Sequence, residues 1–115
     1  MKTASPNKDL YEAIYDLVRL VPAGRVTSYG HIAAAIGLRS GARLVGYALS
    51  HSHTVQPPVP AHRVLNRKGM LTGKHHFETE TAMQQALEKE GVRVSDDCVA
   101  DFDTLLWDPA KEVRF

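Results

Sequence analysis

Two short helical patterns, separated by a glycine-containing turn, constrain the fold of this chain more than any other feature. Thr27 or Ser28 can cap the first pattern, which runs to about residue 36. Gly37 ends it, and the second pattern covers residues 40–51. The apolar positions of the two patterns are Ile32, Ala33, Ile36, Ala42, Val45, Ala48 and Leu49. Two short helices joined in this way make a helix-turn-helix, whose second helix approaches DNA.

The segments on either side of this pair complete a small domain. An apolar stripe predicts a helix before the pair, and residues 79–90 predict a last helix. Between them, the basic turn Asn66–Gly69 joins residues 62–65 to residues 70–72 and predicts a hairpin. The tail at residues 102–107 is expected to pack on the core as strand or coil. The stripe consists of Leu10, Ile14, Leu17, Val18 and Val21.

A basic hairpin after a helix-turn-helix is typical of a wing. The sequence therefore predicts a fold that is mainly α with a small β hairpin, a winged helix-turn-helix DNA-binding domain. With 115 residues the chain is long enough for one hydrophobic core, so residues 1–115 are expected to form a single domain.

Charge is distributed unevenly along the chain. The stretch from Arg25 to Phe77 holds seven Lys or Arg, all six histidines and no Asp or Glu, so all 13 acidic residues lie outside it. This segregation predicts a polyanion-binding face on a domain that its acidic side keeps soluble, and it favours nucleic acid as the partner. The basic residues are Arg25, Arg39, Arg43, Arg63, Arg67, Lys68 and Lys74.

Composition argues against several other classes of protein. No run approaches the roughly 18 apolar residues of a membrane span, so we expect no membrane partner and a cytoplasmic protein, associated with the nucleoid when bound to DNA. The single cysteine, Cys98, excludes an internal disulfide and a cysteine metal cluster. The histidine pairs have no nearby acid or cysteine to complete a ligand set. We expect no metal, no cofactor and a monomer.

Three ordered motifs carry a family resemblance: Val21–Gly30 (VPAGRVTSYG), Ala42–Gly46 (ARLVG) and Pro60–Val64 (PAHRV). Together they resemble the DNA-binding domain of the O6-alkylguanine-DNA alkyltransferases over roughly residues 10–92. Those enzymes carry Pro-Cys-His-Arg where this chain has an alanine at position 61. The chain therefore resembles the alkyltransferase-like proteins, and the separate N-terminal domain that full alkyltransferases usually carry is not expected.

Alanine at position 61 implies recognition without chemistry. Removing an alkyl group from guanine requires an ionised thiolate, because only a soft nucleophile displaces carbon from that oxygen at neutral pH. Ala61 has no lone pair to offer. The resemblance implies that His62 and Glu90 match the residues that would ionise the cysteine, and here they have nothing to activate. We therefore expect no catalytic residue, with His62 hydrogen-bonded within the pocket and Glu90 capping or paired in its helix.

The resemblance also implies roles in handling DNA. Tyr29 matches a residue that crowds the phosphate beside the lesion and helps to swing the nucleotide out. Arg43 matches a finger that fills the gap, where a planar guanidinium can recover part of the cost of extruding a base. Lys74 stands where related proteins tend to carry arginine over the flipped base. The expected DNA-binding residues are Tyr29, Arg43, Gly46, Ser50, Arg67 and Lys68, and the expected lesion pocket comprises Tyr29, Ala61, His62, Arg63 and Lys74.

The function expected from this resemblance is recognition of O6-alkylguanine in double-stranded DNA by base flipping, which flags the lesion for repair. Nucleotide excision repair proteins are the partners that it implies. Two alternatives stay open. A winged-helix transcription regulator would prefer one DNA sequence over a lesion, and an alkyltransferase that uses another nucleophile, such as Cys98 or His62, would leave modified protein.

Overall fold

Six helices and two small sheets make up residues 6–113, the part of the chain that the computed structural model describes. The helices are α1 (Pro6–Arg19), α2 (Tyr29–Ala35), α3 (Ala42–Ser50), α4 (Ala82–Lys89), α5 (Phe102–Leu105) and α6 (Pro109–Glu112). The strands are β1 (Thr27–Ser28), β2 (Val64–Leu65), β3 (Val94–Ser95) and β4 (Cys98–Val99), and 3-10 turns cover Ala61–Arg63 and Lys74–His76. The predicted fold class, mainly α with a small β component, is confirmed. None of the helices described is long and apolar enough to cross a membrane.

Helix α1 lays its apolar stripe against α2 and α3. Ile14 and Val18 are fully buried there, and Leu10 packs at the edge of the same cluster. The Tyr15 hydroxyl donates a buried 2.7 Å hydrogen bond to the carbonyl oxygen of Ala48 in α3. Because a buried hydroxyl is costly without a partner, this bond fixes how the two helices meet. Apolar periodicity alone gives no sign of it.

Helices α2 and α3 form the predicted helix-turn-helix. Ser28 caps α2, where its Oγ accepts a 3.0 Å hydrogen bond from the His31 amide. Gly37 follows the helix with a φ of +80°, which is the left-handed conformation expected at a helix stop. At Gly41, a Cβ atom would lie 2.5 Å from the Cβ of Leu38, so only glycine allows the turn to close.

Helix α3 begins two residues later than the sequence pattern predicts. Val45, Ala48 and Leu49 are buried, as expected, but Ala42 is exposed. Ala42 is the first residue of the helix and is exposed there, so its expected place in the core is wrong.

The basic turn Asn66–Gly69 forms, but its arms do not pair as a hairpin. Gly69 has a φ of +80°, and its amide donates to the Asn66 carbonyl oxygen at 2.9 Å. Strand β2 instead pairs in parallel with β1, and Met70 forms a bridge with Cys98. The predicted pairing of residues 62–65 with 70–72 is therefore wrong, because each arm is held by a distant strand. The antiparallel hairpin of this fold is β3–β4.

The C-terminal part encloses a second core cluster around Met83 and Leu87 of α4. The tail contributes a short helix, α5, instead of the expected strand or coil, followed by a bridge between Leu106 and Val26. Arg25 fixes this tail, because its guanidinium donates to the carbonyl oxygens of residues 105 and 106 at 2.9 and 2.7 Å. Trp107 is buried beyond the bridge.

Candidate nucleic-acid interface

A narrow cavity of about 10 Å³ opens beside α3, between the 3-10 turns at Ala61–Arg63 and Lys74–His76. Its apolar lining comes from Leu49, Ala61, Phe77 and Met83, and its polar lining from Tyr29, Ser50, His53 and His76, with Gly46 and Gly73 between them. Four residues predicted from the sequence are thus brought together: Tyr29, Gly46, Ser50 and Ala61. Among residues 6–113, neither an acidic residue nor a thiol lines the cavity.

Tyr29 forms one wall of the cavity from the start of α2. Burial raises the pKa of Tyr29 above its usual value, and a hydrogen bond with Thr72 offsets this only in part, so the phenol is neutral at neutral pH and can donate. Gly73 makes room for the Tyr29 hydroxyl, because a Cβ there would lie 2.7 Å from it. A Cβ at Gly46 would lie 3.8 Å from the ring, which is an ordinary contact.

Ala61 lies at the inner end of the cavity with 7% of its surface exposed. It begins a 3-10 turn, in which successive side chains point about 120° apart. With Ala61 facing the cavity, the next two side chains must face elsewhere. His62 and Arg63 accordingly line a groove on another side, together with Arg19. Neither side chain is part of the cavity lining, so their expected place in the lesion pocket stays a prediction.

Both side chains turn to Glu90, at the end of α4. His62 Nε2 lies 2.8 Å from Glu90 Oε2, and Arg63 Nη2 donates to the same oxygen at 2.7 Å. The Gly24 amide donates to Oε1 at 3.2 Å, and Arg63 also reaches the Val21 carbonyl oxygen at 2.8 Å. Burial alone would raise the pKa of Glu90, but the hydrogen bonds from Arg63, His62 and Gly24 outweigh it and hold the pKa at about 2. Glu90 was expected to cap its helix or pair within it, but its partners lie in other segments, and the pairing joins three segments.

Lys74 also lies outside the cavity lining. Its Nζ is 2.7 Å from Asp97 Oδ2 and 3.8 Å from Glu80 Oε1. The hydrogen bond to Asp97 raises the pKa of Lys74, and Asp97 is presented by the turn between β3 and β4. Lys74 is therefore held in an ion pair with a carboxylate 23 residues away, and its expected contact with a base stays a prediction. Gly73 and His76, which lie on either side of Lys74 in the sequence, do line the cavity. The sequence gives little sign of their place in it.

Arg43 lies on the exposed face of α3, in a shallow groove next to the cavity. The groove and the cavity share Gly46, Ser50 and His76. Ser50 uses its hydroxyl to donate to the Tyr47 carbonyl oxygen at 2.6 Å. Within residues 6–113, Arg43 makes no ion pair, so its guanidinium is available to a ligand.

The seven basic residues of the acid-free stretch divide into two groups. Arg25, Arg63 and Lys74 bind other parts of the protein, as described above. The other four make no ion pair and no side-chain hydrogen bond with any residue in the described range: Arg39, Arg43, Arg67 and Lys68. Arg67 and Lys68 lie on the basic turn beside Asp101 and Asp103, and the structure does not bring them to the cavity.

Comparison with known proteins gives the family. The family profile for the 6-O-methylguanine DNA methyltransferase, DNA binding domain, matches residues 9–92. Alkyltransferase-like protein 1 of Schizosaccharomyces pombe is 38% identical over 86 residues, which are 75% of this chain and 79% of that protein. The methylated-DNA–protein-cysteine methyltransferase of Salmonella typhimurium is 36% identical over 73 residues, 64% of this chain and 42% of that protein.

Solved structures agree with this match. The structure of S. pombe Atl1 in complex with damaged DNA containing O6-carboxymethylguanine superposes with a TM-score of 0.79 at 32% identity, and covers 95% of this chain and 100% of that one. A variant of the Mycobacterium tuberculosis O6-methylguanine methyltransferase gives 0.61 at 33% identity, over 77% of this chain and 52% of that one. On these matches and the shared fold, the chain belongs to the 6-O-methylguanine DNA methyltransferase family, through the DNA-binding domain of that family.

Proposed function

We propose that this protein recognises O6-alkylguanine in double-stranded DNA by taking the damaged base into the cavity at Ala61, without accepting the alkyl group. The observation that carries the proposal is a cavity lined by Tyr29 and Ala61 directly beside an arginine on an exposed helix face. The similar S. pombe protein was solved with DNA containing O6-carboxymethylguanine. In the cell, the complex flags the lesion for repair, with nucleotide excision repair proteins as partners, and the protein acts as a monomer.

The non-enzymatic part of the proposal rests on the chemistry of the cavity. Alkyl transfer needs a nucleophile that can take carbon from the guanine oxygen, and thiolate is the group suited to it at neutral pH. Ala61 occupies the position where the family motif has cysteine, and Cys98 lies in β4 instead of the cavity lining. Glu90 is committed to Arg63 and His62, so it has no proton to move for a bound base.

Base capture follows from the arrangement of Tyr29 and Arg43. The neutral Tyr29 phenol stands at the wall of the cavity, where it can crowd and hydrogen-bond the backbone of the displaced nucleotide. Arg43, three residues before Gly46, can enter the space that the base leaves. Unstacking a base costs a few kcal/mol, and a stacked guanidinium offsets part of this cost. Arg43 is therefore the residue on which preference for the lesion depends most.

This dependence is tested by titrating matched duplexes that contain O6-methylguanine or guanine. Arg43→Ala should weaken lesion binding by about 1–3 kcal/mol and lower the preference for the lesion, if stacking sets the scale. Arg67→Ala is the matched control, because a phosphate contact should affect both duplexes in the same proportion. Equal proportional losses for the two variants would make Arg43 a phosphate contact only. A wild-type protein that does not distinguish the duplexes would refute lesion recognition itself.

A further inference from the structure

The cavity at Ala61 is closed in the free protein. Its volume is about 10 Å³, which is room for about one water molecule. The ring system of guanine is several times larger than a water molecule. One wall of the cavity must therefore move before an extruded guanine can enter.

The walls of the cavity differ in how firmly they are held. Leu49 and Met83 lie in helices α3 and α4 and are buried in the core. Ala61 lies on the turn that the Glu90 network ties to the end of α4. The remaining wall is the segment of residues 73–77, whose amides at positions 74, 76 and 77 close local turns with hydrogen bonds of 3.1 to 3.3 Å. A segment held by local bonds opens at a lower cost than a core helix.

This wall segment, residues 73–77, closes the cavity by contacting the opposite side at both of its ends. A Cβ at Gly73 would lie 2.7 Å from the Tyr29 hydroxyl, so the backbone passes close to that group. At the other end, the Phe77 ring packs edge to face against His53, with 4.6 Å between the ring centroids. Outward movement of the wall segment separates both contacts and widens the cavity between them.

Asp97, in the turn between β3 and β4, ties the wall segment to the rest of the protein. Lys74 Nζ donates a 2.7 Å hydrogen bond to Asp97 Oδ2. The Leu71 amide donates to the Asp97 carbonyl oxygen at 2.8 Å, which fixes the start of the same segment. Glu80 Oε1 is 3.8 Å from Lys74 Nζ, and the Glu80 side chain is 72% exposed, so this second ion pair contributes less.

We infer that Asp97, acting through Lys74, holds the cavity closed in the free protein, and that this ion pair opens when an extruded guanine enters. The inference rests on the proposed function, which supplies the extruded base. A plain duplex that keeps its bases stacked leaves the wall segment in place. The cost of breaking the ion pair therefore falls on lesion binding, and Asp97 is a positioning residue that lowers the preference for the lesion.

The test compares Asp97→Gly with the matched control Asp96→Gly. Both residues have a left-handed backbone, with φ of 60° and 52°, which glycine adopts without strain. Both variants remove one negative charge from the same turn, but within residues 6–113 Asp96 makes no ion pair. Asp97→Gly should raise the ratio of lesion to plain-duplex affinity about two- to fivefold, the range for one partly exposed ion pair. Asp96→Gly should leave the ratio unchanged.

Two further measurements show whether the effect acts through the wall segment. In a Lys74→Met background, Asp97→Gly should change the ratio no further, because the ion pair is already absent. In the absence of DNA, the amides of His76 and Phe77 should exchange hydrogen faster in Asp97→Gly than in Asp96→Gly, because the untied turn opens more often. Asp97→Asn, which also tolerates the left-handed conformation, should change the ratio and the exchange in the same direction.

Several results would overturn the inference. An equal rise of the ratio in both glycine variants would assign the effect to net charge, and a fall in Asp97→Gly would mean that the ion pair holds the wall in the shape that binds the base. Unchanged amide exchange would overturn the inference whatever the DNA titrations show. Faster exchange in Asp97→Gly, with a wild-type protein that does not distinguish the duplexes, would overturn the proposed function and leave Asp97 as the tie of the wall segment.

Discussion

At the scale of one residue, Glu90 holds together three segments of the chain. Its carboxylate accepts hydrogen bonds from Arg63 and Gly24 and contacts His62, so it joins the Ala61–Arg63 turn to the end of α4. The side chain is only 15% exposed, and a carboxylate in such surroundings is stable only with these partners. With alanine at position 61, the network stabilises the fold that supports the cavity.

The low pKa of Glu90 predicts a pH-dependent stability. The pKa of Glu90 is about 2 in the folded protein, against 4.5 for the unperturbed group. The folded state therefore stabilises the ionised carboxylate relative to the unfolded state. This contribution is fully present above pH of about 4.5 and disappears as the pH falls toward 2. Glu90→Gln should therefore lower the free energy of unfolding at pH 7 by about 2–3 kcal/mol, with the difference shrinking in acid.

Thermal unfolding between pH 7 and pH 2 measures this difference. Glu88→Gln is the matched control, because Glu88 is an exposed neighbour on α4 whose only side-chain hydrogen bond within residues 6–113 is to Gln84. Its unfolding curve should follow that of the wild type. A constant gap between Glu90→Gln and wild type at every pH would mean that the Glu90 network contributes nothing through its charge.

The sequence predicted the cavity residues unevenly, for a physical reason. Tyr29 and Ala61 line the cavity, because each lies in a motif whose local spacing sets its position. Arg63 and Lys74 are not part of that lining, because each pairs with a carboxylate 27 or 23 residues away. Local patterns do not reveal which distant partner a long charged side chain will reach.

At the scale of elements, the helices followed from the sequence and the strand pairing did not. Apolar periodicity and a stop glycine define α2 and α3 within a few residues, since both signals are local. Strands β1 and β2 are only two residues long, so hydrophobic alternation carries almost no information about them. Their parallel pairing is set by the packing of the whole core.

Helix α2 contacts the segment before the Lys74–His76 turn through the Tyr29 hydroxyl, which lies close to Gly73. Gly73→Ala would place a Cβ 2.7 Å from the Tyr29 hydroxyl, and a partly buried ring cannot move away freely. We expect the displaced phenol to lower affinity for O6-methylguanine DNA about tenfold, with a smaller effect on plain duplex, since a misplaced side chain at a capture site is costly.

Removal of the hydroxyl provides the control for this steric explanation. In a Tyr29→Phe background the clash is absent, so Gly73→Ala should then cost little further affinity. Lesion-duplex titrations of the two single variants and the double variant give the coupling between the positions. Additive losses would show that Gly73 acts through something other than the Tyr29 hydroxyl.

At the scale of the whole molecule, the charge pattern overstated the surface available to DNA. The sequence counts seven basic residues in its acid-free stretch, but Arg25, Arg63 and Lys74 are tied to carbonyl or carboxylate groups of the protein. The four that remain are Arg39, Arg43, Arg67 and Lys68. The segregation of charge along the sequence predicted a nucleic-acid partner. The fold determines how many of the basic side chains are available to contact it.

This count predicts the salt dependence of DNA binding. Each neutralised phosphate contributes about 0.9 to the slope of log affinity against log salt, so four contacts give a slope of about −3.6, against about −6.3 for seven. Titrations of a plain duplex from 50 to 200 mM salt would separate these values. A slope near −6 would mean that the internal pairs of Arg25, Arg63 or Lys74 open when DNA binds, and a flat response would remove the electrostatic basis of the interface.

The central claim is that the protein holds an alkylated guanine without taking its alkyl group, and the intact mass of protein and DNA tests it most directly. The protein is incubated with an excess of O6-methylguanine duplex under conditions in which titration shows the complex to be saturated. We expect the protein mass to be unchanged and the lesion to be recovered intact, because the cavity at Ala61 offers no thiolate. A protein heavier by one methyl group, with guanine restored in the DNA, would contradict it.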